Sequence, residues 1–314
     1  MEELLPKVSV IIPIYNGEAD LPDLIECLKN QTYPSDRVEY LLVDNNSSDR
    51  TPTLLQTAAD NNTLIRHLTE SKIQSSYAAR NTGIRSATGE IIAFTDADCR
   101  PQPNWLSDLI QPFAYSFIGI VAGEIIGLPG TTLLERYAEK NDTLSQKYTL
   151  EHPFCPYGQT ANLAIRREIF RQVGLFRPYM TTGGDADICW RIQRETAWKI
   201  TFAPTAIVQH RHRSTIREFQ NQWRRYGRSN RYLHELHGIK LMKGLLPQEY
   251  VYRISRWLLK ELPITSVKAL VGKASFVDFL NTPIYLLNTQ ARTAGQQQSK
   301  LSEEAKIIEW LEKR

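Results

Sequence analysis

The segment EIIAFTDADCRPQPNWL, residues 90–106, ends an apolar run with two carboxylates one residue apart, Asp96 and Asp98. In extended backbone, residues two apart point to the same face, so this spacing presents both acids on one side of a strand tip. Oxygen ligands in that pattern suit Mg2+ or Mn2+, which share their coordination between one or two protein carboxylates and the phosphates of a substrate. The plainer alternative is an Asx-turn in which Asp98 caps the segment leading to Trp105. Neither glycine-rich phosphate signature occurs, so a phosphate bound here needs a metal or arginine. Arg80, in SSYAARNTGIRSATGE, is the candidate cation, with a solvated helix-face charge as its competing role. Asp185 follows two glycines and opens a helix, where the helix dipole favours an ionised carboxylate. A plain helix cap explains the same placement.

These residues need elements to hold them. VSVIIPIY (8–15) is continuous, apolar and β-branched, which predicts a strand buried on both faces. Leu21, Leu24, Ile25 and Leu28 predict a helix over 19–30. Further strands are expected at 38–44, 64–68 and 90–96, with helices starting at Thr51-Pro52 and spanning 75–87. Strand–helix alternation at this spacing predicts a doubly wound, mostly parallel α/β sheet, whose ligands bind at the carboxyl ends of strands. Tyr15, Asp44, Asn45, Asp96 and Asp98 all fall at such ends. Beyond residue 158 the pattern predicts a strand and helix over 158–176, a helix within 181–198, a strand ending at His210 and a long helix over 214–237 stopped by Gly238. The last ~70 residues show no clear globular pattern, and TAGQQQSK (293–300) reads as a polar linker.

Composition sets bounds. The chain has 314 residues, enough for a large core, and its 42% apolar and 23% charged content excludes wholesale disorder. A formal charge of +4 is too small to argue for nucleic acid. Cys27, Cys99, Cys155 and Cys189 lie far apart without a CxxC pair, which fits reduced thiols in a cytosolic protein. MEELLPK is acidic and leads directly into a strand, so no signal peptide is expected. No apolar stretch reaches the length of a membrane span.

Five segments in order, VSVIIPIYN, YLLVDNNSSDRT, AARNTGIRSATGEIIAFTDADC, NLAIRREIF and GGDADICWRI, resemble the family 2 glycosyltransferases, from about residue 7 to about residue 235. The resemblance implies a GT-A fold over 1–238, a helical C-terminal extension over 239–314, and transfer of a sugar with inversion from a UDP- or GDP-linked donor. It implies that Pro13 and Tyr15 line the base and ribose. Asp44 and Asn45 stand where the family has an Asp-Asp pair that reads the base. The Asp96–Ala97–Asp98 triplet matches the DxD motif and contacts the donor, with Asp98 as direct metal ligand and Asp96 at the ribose or a metal-bound water. Asp185 matches the general base, ahead of Asp187, although the usual Glu-Asp pair here reads Gly184-Asp185. His210 matches a third ligand for Mn2+ or Mg2+, with His212 as its competitor.

In RHRSTIREFQNQWRRYGRSNRYLHEL, Arg217, Arg224, Arg228 and Arg231 share one helix face beside Phe219, Trp223 and Tyr226. Such a face suits a peripheral membrane contact or the phosphates of a lipid-linked acceptor, with an ordinary solvated face as the alternative. No nucleic-acid motif accompanies it. The partners expected are thus a nucleotide-sugar donor and a glycan or lipid-linked acceptor, at the cytoplasmic side of a membrane. Two other functions compete: a sugar-phosphate nucleotidyltransferase, which would carry a glycine-rich amino-terminal loop that IPIYNGEADL lacks, and a degenerate glycan-binding or scaffold protein.

Overall fold

The computed structural model describes residues 5–311, so most of the acidic amino-terminal segment lies outside the described residues. The first part of the chain forms β1 (Val8–Ile14), α1 (Leu21–Lys29), β2 (Val38–Asp44), α2 (Thr51–Asn61), β3 (Ile65–Thr69), α3 (Ser76–Ser86), β4 (Ile91–Phe94), β5 (Cys99–Pro101) and α4 (Trp105–Ile110). Next come β6 (Ile118–Gly127), α5 (Leu133–Lys140), α6 (Gln146–Leu150), β7 (Leu163–Arg166), α7 (Ile169–Val173), α8 (Gly184–Glu195) and β8 (Lys199–His210). Helices follow: α9 (Ile216–His237), α10 (Pro247–Arg256), α11 (Leu262–Leu270), α12 (Phe276–Phe279) and α13 (Asn281–Gln297).

The strands form one eight-stranded sheet in the order β3-β2-β1-β4-β7-β6-β8-β5. Its β3-β2-β1-β4 half is parallel, as strand–helix alternation requires, and every residue of β1 and β2 is buried. The other half adds antiparallel pairs: β7 with β4, β6 with β7, and β5 with β8. This is the mixed α/β, GT-A architecture, with a helical C-terminal region. The β5–β8 pair sets Cys99 opposite His210, which joins the tip after β4 to the end of a strand over a hundred residues away.

The chain divides into two compact units. The first comprises residues up to Ile126, Leu144–Arg211 and the segment from Ser302 on; the second comprises Gly127–Thr143 and His212–Leu301. In the first unit the closing segment crosses Gly174, whose φ is +78° and where an added Cβ would lie 2.4 Å from Ile308. There the Leu175 amide donates to the Glu309 carbonyl, and the Glu309 carboxylate accepts from Asn81 and Arg85 of α3.

In the second unit, α9 opens with a Thr215–Glu218 capping box and ends at Gly238, φ +71°. Phe219 is buried with Leu134, Tyr137, Val277 and Ile284, while Arg217, Arg224 and Arg228 are exposed and Arg231 pairs with Glu235 at 2.6 Å. The aromatic stripe is thus largely core, and most of the arginine face is solvated. The expected linker at 293–300 is corrected. Residues up to Gln297 belong to α13, and Gly295 and Gln296 are buried. A Cβ on Gly295 would stand 2.0 Å from the Arg224 carbonyl oxygen, and one on Gly227 1.9 Å from that of Arg292. The small residues that suggested a linker let α9 and α13 touch backbone to backbone. Among the described residues no helix is long and apolar enough to cross a membrane.

This crossing yields a prediction. Gly227→Ala should cost about 1–3 kcal/mol or more, because backbone on both sides must move. Thermal unfolding checks it, and an unchanged midpoint would show the helices are free to separate.

Candidate active site

The turn after β4 brings the two acids of the tip to different partners. Asp96 Oδ1 receives Arg80 Nη2 at 2.5 Å, and the Arg80 side chain is almost wholly buried over the ring of Tyr77. Arg80 Nε, also buried, has no hydrogen-bond partner among the described residues. Asp98 Oδ1 lies 3.4 Å from His210 Nε2. His210 Nδ1 is 2.7 Å from the Arg211 carbonyl, which only accepts, so Nδ1 is placed as a donor and the ring's orientation aims Nε2 at Asp98. Arg211 N in turn donates to the Asp98 carbonyl. His212 packs instead against Gly127 in the second unit. The histidine that meets Asp98 is His210.

Asp98, Cys99 and His210 place three ligand-type atoms within 4.8 Å of one another. Cys99 is fully buried, and burial holds its thiol far above the usual value, with the charges of Asp96 and Asp98 adding to the effect. Without a bound ion it is therefore a protonated thiol packed in the core. A carboxylate oxygen with an imidazole nitrogen is a donor set that fits a divalent metal ion. Arg100 fixes the intervening residue: it donates to the carbonyls of Ala97 and Cys99 and pairs with Asp20 and Asp23.

Asp185 stands near the start of α8, after Gly183 in the left-handed conformation. Thr160 holds both its oxygens, Oγ1 to Oδ1 at 3.1 Å and N to Oδ2 at 3.4 Å. Burial raises the Asp185 carboxyl above its usual value; the Arg80 charge opposes this and the Asp96 charge adds to it. Tyr77 anchors this helix start by accepting from Gly184 N at 2.9 Å. The space at Gly184 is already taken, because a Cβ there would lie 2.7 Å from the Tyr77 ring. Asp187 faces elsewhere: it is fully buried and shared between Arg177 and Arg191.

The ends of β1 and β2 supply the remaining residues. Pro13 is buried in β1, Tyr15 is 55% exposed, and Asp44 is buried with Oδ1 accepting from Ser47 N. Asn45 is buried and gives Nδ2 to the carbonyls of both Glu70 and Ile73 at 2.9 Å. An aspartate could not make those two bonds. The two loops are tied together, Asn16 N to Ser47 and Gly17 N to Thr51.

A model of glycosyl transferase family 2 matches residues 9–174. A Haloferax volcanii protein described as glycosyltransferase AglE is 31% identical over 305 residues, covering 96% of this chain and 90% of its own length. The chain belongs to glycosyl transferase family 2. A Campylobacter jejuni protein described as GalNAc(5)-diNAcBac-PP-undecaprenol beta-1,3-glucosyltransferase is 28% identical over 147 residues, 46% of this chain and 47% of its own. Among solved structures, the mannosyltransferase PcManGT of Pyrobaculum calidifontis, in complex with GDP-Man and Mn2+, superposes with a TM-score of 0.65. It covers 94% of this chain and 88% of its own at 18% identity, which establishes the shared fold.

Within this glycosyltransferase, Tyr77, Arg100 and Thr160 are site residues that sequence reasoning missed. Tyr77 had a readable signal, three residues before Arg80 on the same helix face. Thr160 and Arg100 had none, since their partners are set by tertiary packing. The Tyr77 contact predicts that Gly184→Ala costs about 1–3 kcal/mol, since the ring is stacked on Phe176 at 5.7 Å and has little room to yield. A thermal midpoint equal to the parent's would show that Tyr77 swings aside.

Proposed function

We propose that this family 2 glycosyltransferase is metal-dependent and inverting, moving a sugar from a UDP- or GDP-linked donor to a hydroxyl of a glycan or lipid-linked acceptor. The observation that carries the reading is the His210 Nε2–Asp98 Oδ1 pair, with the imidazole oriented by a carbonyl, beside the Arg80–Asp96 pair. Asp98 and His210 would hold the divalent ion, Mn2+ or Mg2+. When bound, the ion neutralises charge that grows on the donor diphosphate as the sugar bond breaks. Asp96 binds the donor through its ribose or an ion-bound water, with Ala97 beside it, and Arg80 orients Asp96. Pro13, Tyr15 and Asp44 line the base and ribose, and Asn45 serves the same pocket by clamping loop 70–73.

Asp185 takes a proton from an acceptor hydroxyl attacking the anomeric carbon opposite the leaving group, which inverts that centre. A raised carboxyl is a stronger base once ionised, and Thr160 keeps its oxygens aimed. The neighbour solved with GDP-Man and Mn2+ supports the donor and metal, and the undecaprenol-linked relative supports a lipid-linked acceptor. Residues 1–238 are assigned the catalytic role and 239–314 that of an extension. Four unpaired cysteines support a reducing, cytoplasmic setting.

Nucleoside diphosphate release from UDP- and GDP-sugars tests the reading. Asp185→Asn should lower kcat by about 10²–10⁴-fold with donor affinity retained. Asp98→Ala and EDTA should each abolish Mn2+-dependent donor binding by calorimetry. Donor binding with no turnover on any acceptor would favour the scaffold reading, and retention at the anomeric carbon would sink inversion.

The pH dependence carries a sign. Activity needs ionised Asp185, whose carboxyl is raised by burial, so the rate should climb with pH through a point above the ordinary aspartate range. Thr160→Val removes a hydrogen bond to the ionised form and should move that limb to higher pH. A limb that stays in place in this variant would assign the titration to another group.

A further inference from the structure

The segment from α10 through α11 is one continuous helix of residues 247–270, and it has no buried residue anywhere. Residues 257–261 form a π turn, which relieves the clash that Pro263 would make with the carbonyl of Leu259 and keeps the helix unbroken. At 1.5 Å per residue the arm is roughly 36 Å long. Large apolar side chains are exposed among its polar ones: Val251, Leu258, Leu259, Val267 and Leu270 on the helix, and Phe276 just beyond it. Leu259 is 81% exposed, Leu270 87% and Phe276 69%. A packed element hides such residues, and this many large apolar side chains left exposed on one helix marks an interaction surface.

The charge pattern selects the partner. Between Lys240 and Lys273 the chain carries seven Lys or Arg and two Glu. Both glutamates are already engaged, Glu249 at the Leu246 amide and Glu261 with Arg256 and Thr282. Exposed Tyr252 adds an aromatic side chain of the kind that favours the headgroup level, whereas Trp257 is half-buried with Nε1 donating to the Phe279 carbonyl. A second copy of the arm would bring like charges together across a two-fold axis.

We propose that the arm, residues 247–276, lies in the surface of an anionic lipid bilayer, with its leucines at the boundary of headgroups and acyl chains and its lysines on the phosphates. This moves the membrane contact from the Arg217–Arg231 face of α9 to an element that exposes several large apolar side chains. The inference rests on the arm and holds whatever sugar or acceptor is used.

Sedimentation of the full chain with vesicles of phosphatidylcholine, with and without phosphatidylglycerol, is the test. Binding to the anionic vesicles is expected, and high salt or the double change Leu259→Glu with Leu270→Glu should weaken it by at least about tenfold. Both positions are exposed, so the thermal midpoint and donor turnover in solution should stay parental. Absence of binding to either vesicle overturns the proposal. So does equal, salt-independent binding to both. A dimer in size-exclusion chromatography that the double variant dissociates, without vesicle binding, would assign the arm to a second copy. Loss of donor turnover in the parent would refute the transferase reading and leave vesicle binding as it stands.

Discussion

Two carboxylates one residue apart at a buried strand tip repel each other, and a partly dehydrated site screens that repulsion poorly. The structure meets this constraint by giving each acid its own partner. Asp96 has a buried guanidinium at 2.5 Å, and Asp98 has an imidazole whose far nitrogen is committed to a carbonyl. Arg100 pins the carbonyl between them. The three partners come from α3, β5 and β8, so the acidic turn cannot form its working geometry until the sheet is assembled.

Helix α3 carries much of that burden. Tyr77 seats the start of α8, Arg80 stands between the charges of Asp96 and Asp185, and Asn81 bonds both the Phe176 backbone and Glu309 of the closing segment. Gly184 shows the cost of this arrangement. The family's usual glutamate has no room beside the Tyr77 ring, so the helix start relies on the Tyr77 hydroxyl and on Thr160 to hold Asp185. Here a motif departs from its pattern because a neighbouring side chain occupies the space.

The second unit follows a different rule. Gly227 and Gly295 trade side-chain volume for direct backbone contact between α9 and α13, while Phe219 fills the space against Tyr137. Once α9 spends its aromatic stripe on that packing, the helix of residues 247–270 keeps its own apolar side chains in the open. A basic arm of this kind makes sense on a surface that is apolar within and anionic above.

Much was legible in the chain itself. Short apolar runs set β1 and β2 to the residue or nearly so, the strand ending at His210 was read correctly, and alternation announced the parallel half of the sheet. The motifs named the family, because short-range order along a chain is what a motif records. The choice between His210 and His212 was not legible, since it depends on the antiparallel register that sets Cys99 opposite His210. Arg80 could have been a solvated charge, and residues 293–297 read as a linker because composition does not reveal that a glycine is packed against another helix. Local sequence determined the elements through β4, together with β8 and α9, and which acids end them, while helices α10–α13 did not show in it. Only the tertiary structure decided which partner each acid meets, because those partners are brought close by strand pairing and helix packing rather than by adjacency along the chain.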